Sequence, residues 1–391
     1  MYSSNITCTR RISLAMLIGF CSACFPAFAA PHVPTSDSAT VEVLRDRPLS
    51  ATNSDFRRLR AKLRDSPADI ALATNVARRA IEISRHDGDP RFLGYAQAAL
   101  APWWQQANPP VPVRLLKAIL LQSTHAFAPA LGELDAVLQA APDNAQAWLI
   151  RAAILQVQGD YSAAAVSCER LRATGAVLYA DVCKAELTGL TGDVAAARRQ
   201  LAALSAASAG TATPAEWLAV IEAEMAERAG DDRAAEKHYR AALSSGGDAY
   251  SKAAYADFLL DRKRGREVIA LLANDQRADA LLLRLAIAYR SENDPRLAAA
   301  VTALKARFDA ARLRGDIAHQ REEARFTLQL LDQPIDALSL AQQNWSVQKE
   351  SADARILLEA ARAAGQDAAA NPVREFIRSH QMVDRRLAVF L

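Results

Sequence analysis

The sequence predicts an all-α chain in which antiparallel helix pairs stack side by side as a solenoid. Hydrophobic residues make up 51% of the 391 residues but aromatics only 6%, and the apolar content rests on Ala and Leu, both strong helix formers. The 15 glycines and 16 prolines fall largely between stretches of helical period, where they stop one helix and start the next. Alanines twelve residues apart recur down the chain. A single compact core of average size would not use this length, whereas stacked repeats do, because each needs only its neighbours.

Taken in order, residues 1–29 have the composition of a secretory signal peptide: a polar start ending in Arg10 and Arg11, an apolar run from Ile12 to Phe25, then Pro26 and the small-residue site Ala27-Phe28-Ala29. Cleavage after Ala29 is expected, and a retained helical anchor is the alternative. Phe20 before Cys21, and the missing Leu three residues before Cys24, argue against lipidation. The formal net charge is +3; cleavage removes two arginines and no acid, which leaves the chain almost neutral. So small an imbalance gives no argument for nucleic acid or an anionic membrane as partner.

Residues 30–54, rich in Pro, Ser and Thr without helical period, are expected to be a flexible leader. Residues 55–110 follow as atypical N-terminal repeats and a cap. Within them FRRLRAKLR sets Phe56, Leu59 and Leu63 on one face, with Arg57, Arg58, Arg60, Lys62 and Arg64 around them. Asp89-Pro90-Arg91 restarts a helix after Gly88, and the same restart recurs at Asp294-Pro295-Arg296. Trp103 and Trp104 read as a plug between repeats or as an exposed recognition patch.

The clearest unit runs from Ala145 to Leu171. Counting Ala145 as position 1, Trp148 stands at 4, Ala152 at 8, Leu155 at 11, Gly159 at 15, Tyr161 at 17 and Ala164 at 20. Gly159 can take the left-handed conformation that ends a helix, and Asp160 can cap the next. This pattern resembles the tetratricopeptide (TPR) repeat, with Arg151 where that family usually has Leu. An ordinary helical bundle is the competing architecture, and repetition separates the two. A repeat from Val111 carries Ala118 and Ala130; one from Leu178 carries Ala185, Gly192 and Ala197; one from Glu216 carries Ala223, Gly230 and Ala235. A degraded copy from Ala249 keeps Ala256 but has Lys263 and Val268. Residues 111–273 thus form core TPR-like repeats, and 274–391 degenerate C-terminal repeats and a cap. The resemblance implies a right-handed superhelical solenoid.

It also implies a binding surface, since first helices of successive TPR repeats line a concave groove. Carried over residue by residue, one groove position is Tyr179, Trp217 and Tyr250, and another is Glu186, Glu224 and Asp257, with Glu227 and Asp261 adding acid. The implied partner is a protein or peptide with apolar and basic anchors. The Lys and Asn of the family's carboxylate clamp are absent. Packing between first helices is the competing role for the aromatic row. Cys168 and Cys183 lie on two helices that pack together in a TPR stack, and they are the pair left after signal cleavage. A disulfide between them is expected.

Nothing in the sequence points to catalysis. The six histidines are scattered without a metal-binding pair, and there is neither a nucleophile elbow nor a phosphate-cradling glycine loop. No cofactor, metal or catalytic residue is expected. The sequence reads as a periplasmic or secreted TPR scaffold with no membrane span in the mature chain. The alternative is a TPR subunit of an envelope export or polysaccharide-secretion system.

Overall fold

A computed structural model describes residues 51–208, 215–244, 246–313, 315 and 319–391. The expected signal peptide and the leader up to residue 50 lie outside the described residues. Every regular element among those described is helical.

Helix α1 (Ala51–Asp65) begins four residues before Asp55 and buries Phe56; Arg57, Arg58, Lys62 and Arg64 are exposed, while Arg60 lies over the Tyr95 ring. Pairs then follow in strict succession: α2 (Ile70–Asp87) with α3 (Arg91–Ala99), and, after the single turn α4 (Ala101–Trp104), α5 (Val111–Ser123) with α6 (Phe127–Ala140). Next come α7 (Ala145–Val157) with α8 (Tyr161–Ala173), α9 (Val177–Leu190) with α10 (Val194–Ser208), and α11 (Ala215–Ala229) with α12 (Asp232–Ala242). The series ends with α13 (Ala249–Asp261) and α14 (Gly265–Leu272), α15 (Asp279–Ser291) and α16 (Leu297–Leu313), α17 (Gln320–Gln329) and α18 (Pro334–Val347), then α19 (Ser351–Ala363) and α20 (Asn371–Ser379).

Each first helix from α5 to α19 packs on the first helix of the next pair, and each of those pairs packs internally. This is an all-α, TPR-like solenoid. The small residues do what their size allows. Ala118, Ala130, Ala152, Ala164, Ala185, Ala197, Ala223, Ala235 and Ala256 are all essentially sealed from solvent. A larger side chain at such a crossing would force two helix axes apart. Arg151, the departure from the family pattern, reaches Asp135 at 3.2 Å and the Ser167 hydroxyl at 2.9 Å, so its charge stays at the edge of the crossing.

The turn inside each pair uses a left-handed residue. Gly159, Gly192 and Gly230 have φ of 81°, 110° and 77°, and Asp160, Asp193 and Asp231 after them accept hydrogen bonds from the backbone of the helix that follows. Lys263 takes φ of 58° at the same position in the degraded repeat, as do His125, Asn293 and Asp332 in theirs. Backbone geometry therefore does not require glycine at this site.

The turns of the middle pairs also meet neighbours far away in sequence. The C-terminal residues run along the turns of the middle pairs: Gln348 meets the His125 ring nitrogen Nδ1 at 3.0 Å, and the Lys349 amide donates to the Val157 carbonyl at 2.8 Å. Phe376 lies on Gly159, Gln381 on Gly192 and Arg385 on Gly230. One apolar cluster accordingly joins Leu155, Tyr161, Leu187 and Leu190 to Trp345, Ile377, Met382 and Leu387. Cys168 and Cys183 are disulfide-bonded, with Cα atoms 5.9 Å apart, tying α8 to α9.

The turn from α13 into α14 carries a basic run, Arg262, Lys263, Arg264 and Arg266, and its three arginines are engaged. Arg262 lies over the Phe258 ring and pairs with Glu227, Arg264 grips Glu236 and Glu267, and Arg266 pairs with Glu292. Trp103 and Trp104 are half-buried against the N-terminal core, as a plug between repeats would be.

Candidate partner-binding chamber

The first helices α11, α13, α15, α17 and α19 face a cavity of about 630 Å³. Five of the eight residues expected to face a partner line it: Glu224, Glu227, Tyr250, Asp257 and Asp261. They are gathered because each lies on the inner face of a first helix, with Tyr250 and Asp257 two helical turns apart on α13. Tyr250 is 57% exposed, and that exposure opens into the cavity.

The aromatic row divides. Tyr179 and Trp217 lie against each other across α9 and α11 with ring centroids 5.3 Å apart and planes tilted by 37°; Trp217 also packs against the core, while Tyr179 stays exposed, and neither lines the cavity. Tyr250 instead sends its hydroxyl to a Glu224 carboxylate oxygen at 2.6 Å.

The acidic row does not stand as an open line of charge. Asp257 is held by Arg284 at 2.7 Å and Arg325 at 2.6 Å, and Asp261 by Arg355 at 2.6 Å. Burial works to raise the Asp257 pKa, but the two guanidiniums outweigh it and hold the carboxyl well below the usual range. Glu227 is only 3% exposed; it accepts from the Tyr239 hydroxyl at 2.9 Å and pairs with Arg262 at 3.4 Å and Arg386 at 3.3 Å. Burial still raises its pKa. Glu186 has no hydrogen-bond partner, and burial together with the charge of Glu224 pushes its pKa up to about 8. Glu224 is raised too, by burial, with the Tyr250 hydroxyl and Arg228 pulling the other way.

The sequence reading missed the guanidiniums. Seven arginines share the cavity wall with seven carboxylates, so the formal charges on the wall balance. Arg284, Arg321, Arg325 and Arg355 come from α15, α17 and α19, where the repeat phase is too degraded to assign groove positions from sequence. Recurrent arginine on those three first helices was the available signal. Arg386 arrives from beyond α20, where no repeat rule applies.

The described residues hold no cluster of three metal-ligating side chains, and none of their helices is long and apolar enough to cross a membrane. Fold and chamber together define a TPR-like helical-repeat protein. No family model matches the chain, and no curated protein matches it. Among solved structures it is similar to a Rap protein crystallised in complex with competence and sporulation factor, at 14% identity over 83% of this chain and 100% of that one, with a TM-score of 0.47. It is also similar to the TPR domain of P58(IPK), at 16% identity over 86% of this chain and 96% of that one, with a TM-score of 0.23.

Proposed function

We propose that this protein is an exported, non-catalytic scaffold that captures a protein or peptide segment in the chamber between its first helices. The observation that carries the reading is the convergence of Glu224, Glu227, Tyr250, Asp257 and Asp261 on one cavity. Its volume falls within the roughly 300–1,000 Å³ of ligand pockets, enough for a few residues of an inserted segment. The Cys168–Cys183 disulfide supports an oxidising compartment, in keeping with the signal-like N-terminus.

Crosslinking in intact cells followed by mass spectrometry tests capture, with Glu224→Gln combined with Tyr250→Ala as the comparison. The expected result is a partner retained by the wild type and lost from the double variant at unchanged melting temperature. Identical partner lists from the two proteins would remove the chamber as the capture site. Fractionation of the same cells tests export, and recovery with the cytosolic fraction would overturn it.

A further inference from the structure

Of the seven carboxylates on the chamber wall, six are paired with an arginine of this chain. Glu227 has Arg262 and Arg386; Asp257 has Arg284 and Arg325; Asp261 and Glu359 share Arg355; Glu322 and Glu350 share Arg321. Glu224 has no cation, and its one hydrogen-bond donor is the Tyr250 hydroxyl. The arginines show the same pattern. Arg284, Arg290, Arg321, Arg325, Arg355 and Arg386 all form ion pairs. Arg228 forms none, and its buried Nη1 has no hydrogen-bond partner.

The two unmatched charges are neighbours. Glu224 and Arg228 stand one turn apart on the same face of α11, where an i,i+4 pair is free to form, yet they do not bond to each other. A buried guanidinium nitrogen without an acceptor is costly, because its desolvation is not repaid. Next to Glu224 stands Glu186 on α9, also without a partner, so this corner of the chamber sets two carboxyl groups against one guanidinium. Tyr250, exposed into the cavity, offers a ring beside it.

We propose that Glu224, with Glu186 behind it, is the receptor for a cationic side chain, lysine or arginine, of the captured segment, and that the Arg228 guanidinium turns to donate to a main-chain carbonyl of the same segment. This rests on the chamber being a peptide site and adds where the segment anchors and by what chemistry. A cation on the Glu224 carboxylate, beside the Tyr250 ring and with Glu186 behind, gains charge-assisted hydrogen bonds in a partly desolvated place. A carbonyl on Arg228 satisfies the orphan donor without adding a second negative charge.

The test uses the full chain and two blocked tripeptides, acetyl-Ala-Lys-Ala-amide and the same peptide with norleucine for lysine, titrated calorimetrically. The lysine peptide is expected to bind about tenfold or more tightly than the norleucine peptide. Glu224→Gln, which keeps an acceptor for Tyr250, should bring that ratio close to one. Arg228→Met should weaken both peptides by the same factor and leave the ratio intact. Asp336→Asn, on an exposed turn of α18, should change neither. Equal binding of the two peptides by the wild type, or an undiminished ratio in Glu224→Gln, overturns the cation receptor while leaving the chamber as a peptide site. Failure of both peptides to bind the wild type overturns the receptor and the chamber together, and retained partner crosslinking would then place capture elsewhere on the protein.

Discussion

The ring of Phe376 lies over the bare α-carbon of Gly159, so close that an added β-carbon would stand 2.7 Å from it. Phe376 is itself braced edge-on by Trp345 at 5.3 Å and by Tyr161 at 6.2 Å between ring centroids. A turn that reads as a local helix stop is therefore also a long-range docking point for the last helix.

Gly159→Ala combines left-handed strain with a clash, and should cost about 1–3 kcal/mol in urea denaturation. Gly175 has φ of 89° but open space around it, so Gly175→Ala reports the strain alone. The expected order is a clearly larger loss at Gly159, part of it recovered by adding Phe376→Leu. Equal losses at the two glycines would show that the ring contact is not restrictive.

Arg386→Met should open the far end of the same docking seam. It leaves Asp384, whose side chain is fully sealed, and the nearly buried Glu227 without their shared guanidinium. Removing one partner from a buried charge network typically costs about 3–5 kcal/mol. Hydrogen exchange should quicken at the turn around Arg228 and Gly230, where Arg385 donates its amide and its guanidinium to the two carbonyls at 3.1 Å each.

Asp257→Asn removes the charge that joins α13 to α15 and α17. Because the folded pKa of Asp257 is depressed, its contribution is present above the unperturbed value of 3.8 and is lost as pH falls toward the folded value. The variant should be less stable than wild type by about 1–3 kcal/mol at pH 7, with the gap narrowing as the solution is acidified below pH 3.8.

Glu186→Gln should behave in the opposite sense. The group titrates near 8 when folded against 4.5 for a free glutamate, so its contribution is complete below pH 4.5 and is lost as pH rises through about 8. Glu224 and Arg228 on α11, and Glu350 at the start of α19, are the charges that act on it. The variant should match wild type near pH 4.5 and melt higher than wild type above pH 8. A difference between the two that does not change with pH would mean that Glu186 titrates as a solvated carboxyl.

The Cys168–Cys183 bond closes a loop with a sequence separation of 15, and in the chain-entropy model such a bond contributes about 3 kcal/mol. Alkylation and mass measurement before and after reduction should find neither thiol free until reductant is added. Replacing both cysteines by serine should lower the denaturation midpoint by a corresponding amount.

The local architecture is legible in the residues alone. Alanine pairs twelve apart, Gly-Asp turns and the helical period are short-range rules, and each of them recurs in the fold because helix crossing and capping are decided within some thirty residues. The disulfide was legible for the same reason, since it joins adjacent elements. The tertiary structure decided what the inner face became. The arginines that meet Asp257 and Asp261 lie up to 94 residues away, and one of the two that meet Glu227 lies 159 residues away. The degenerate repeats of α15 to α20 hold their phase too loosely to announce them. Which charges are neutralised, and which two are left over at Glu224 and Arg228, depends on how successive pairs bring distant helices face to face. That is a sum of small rotations accumulated over many repeats, and no single repeat encodes it.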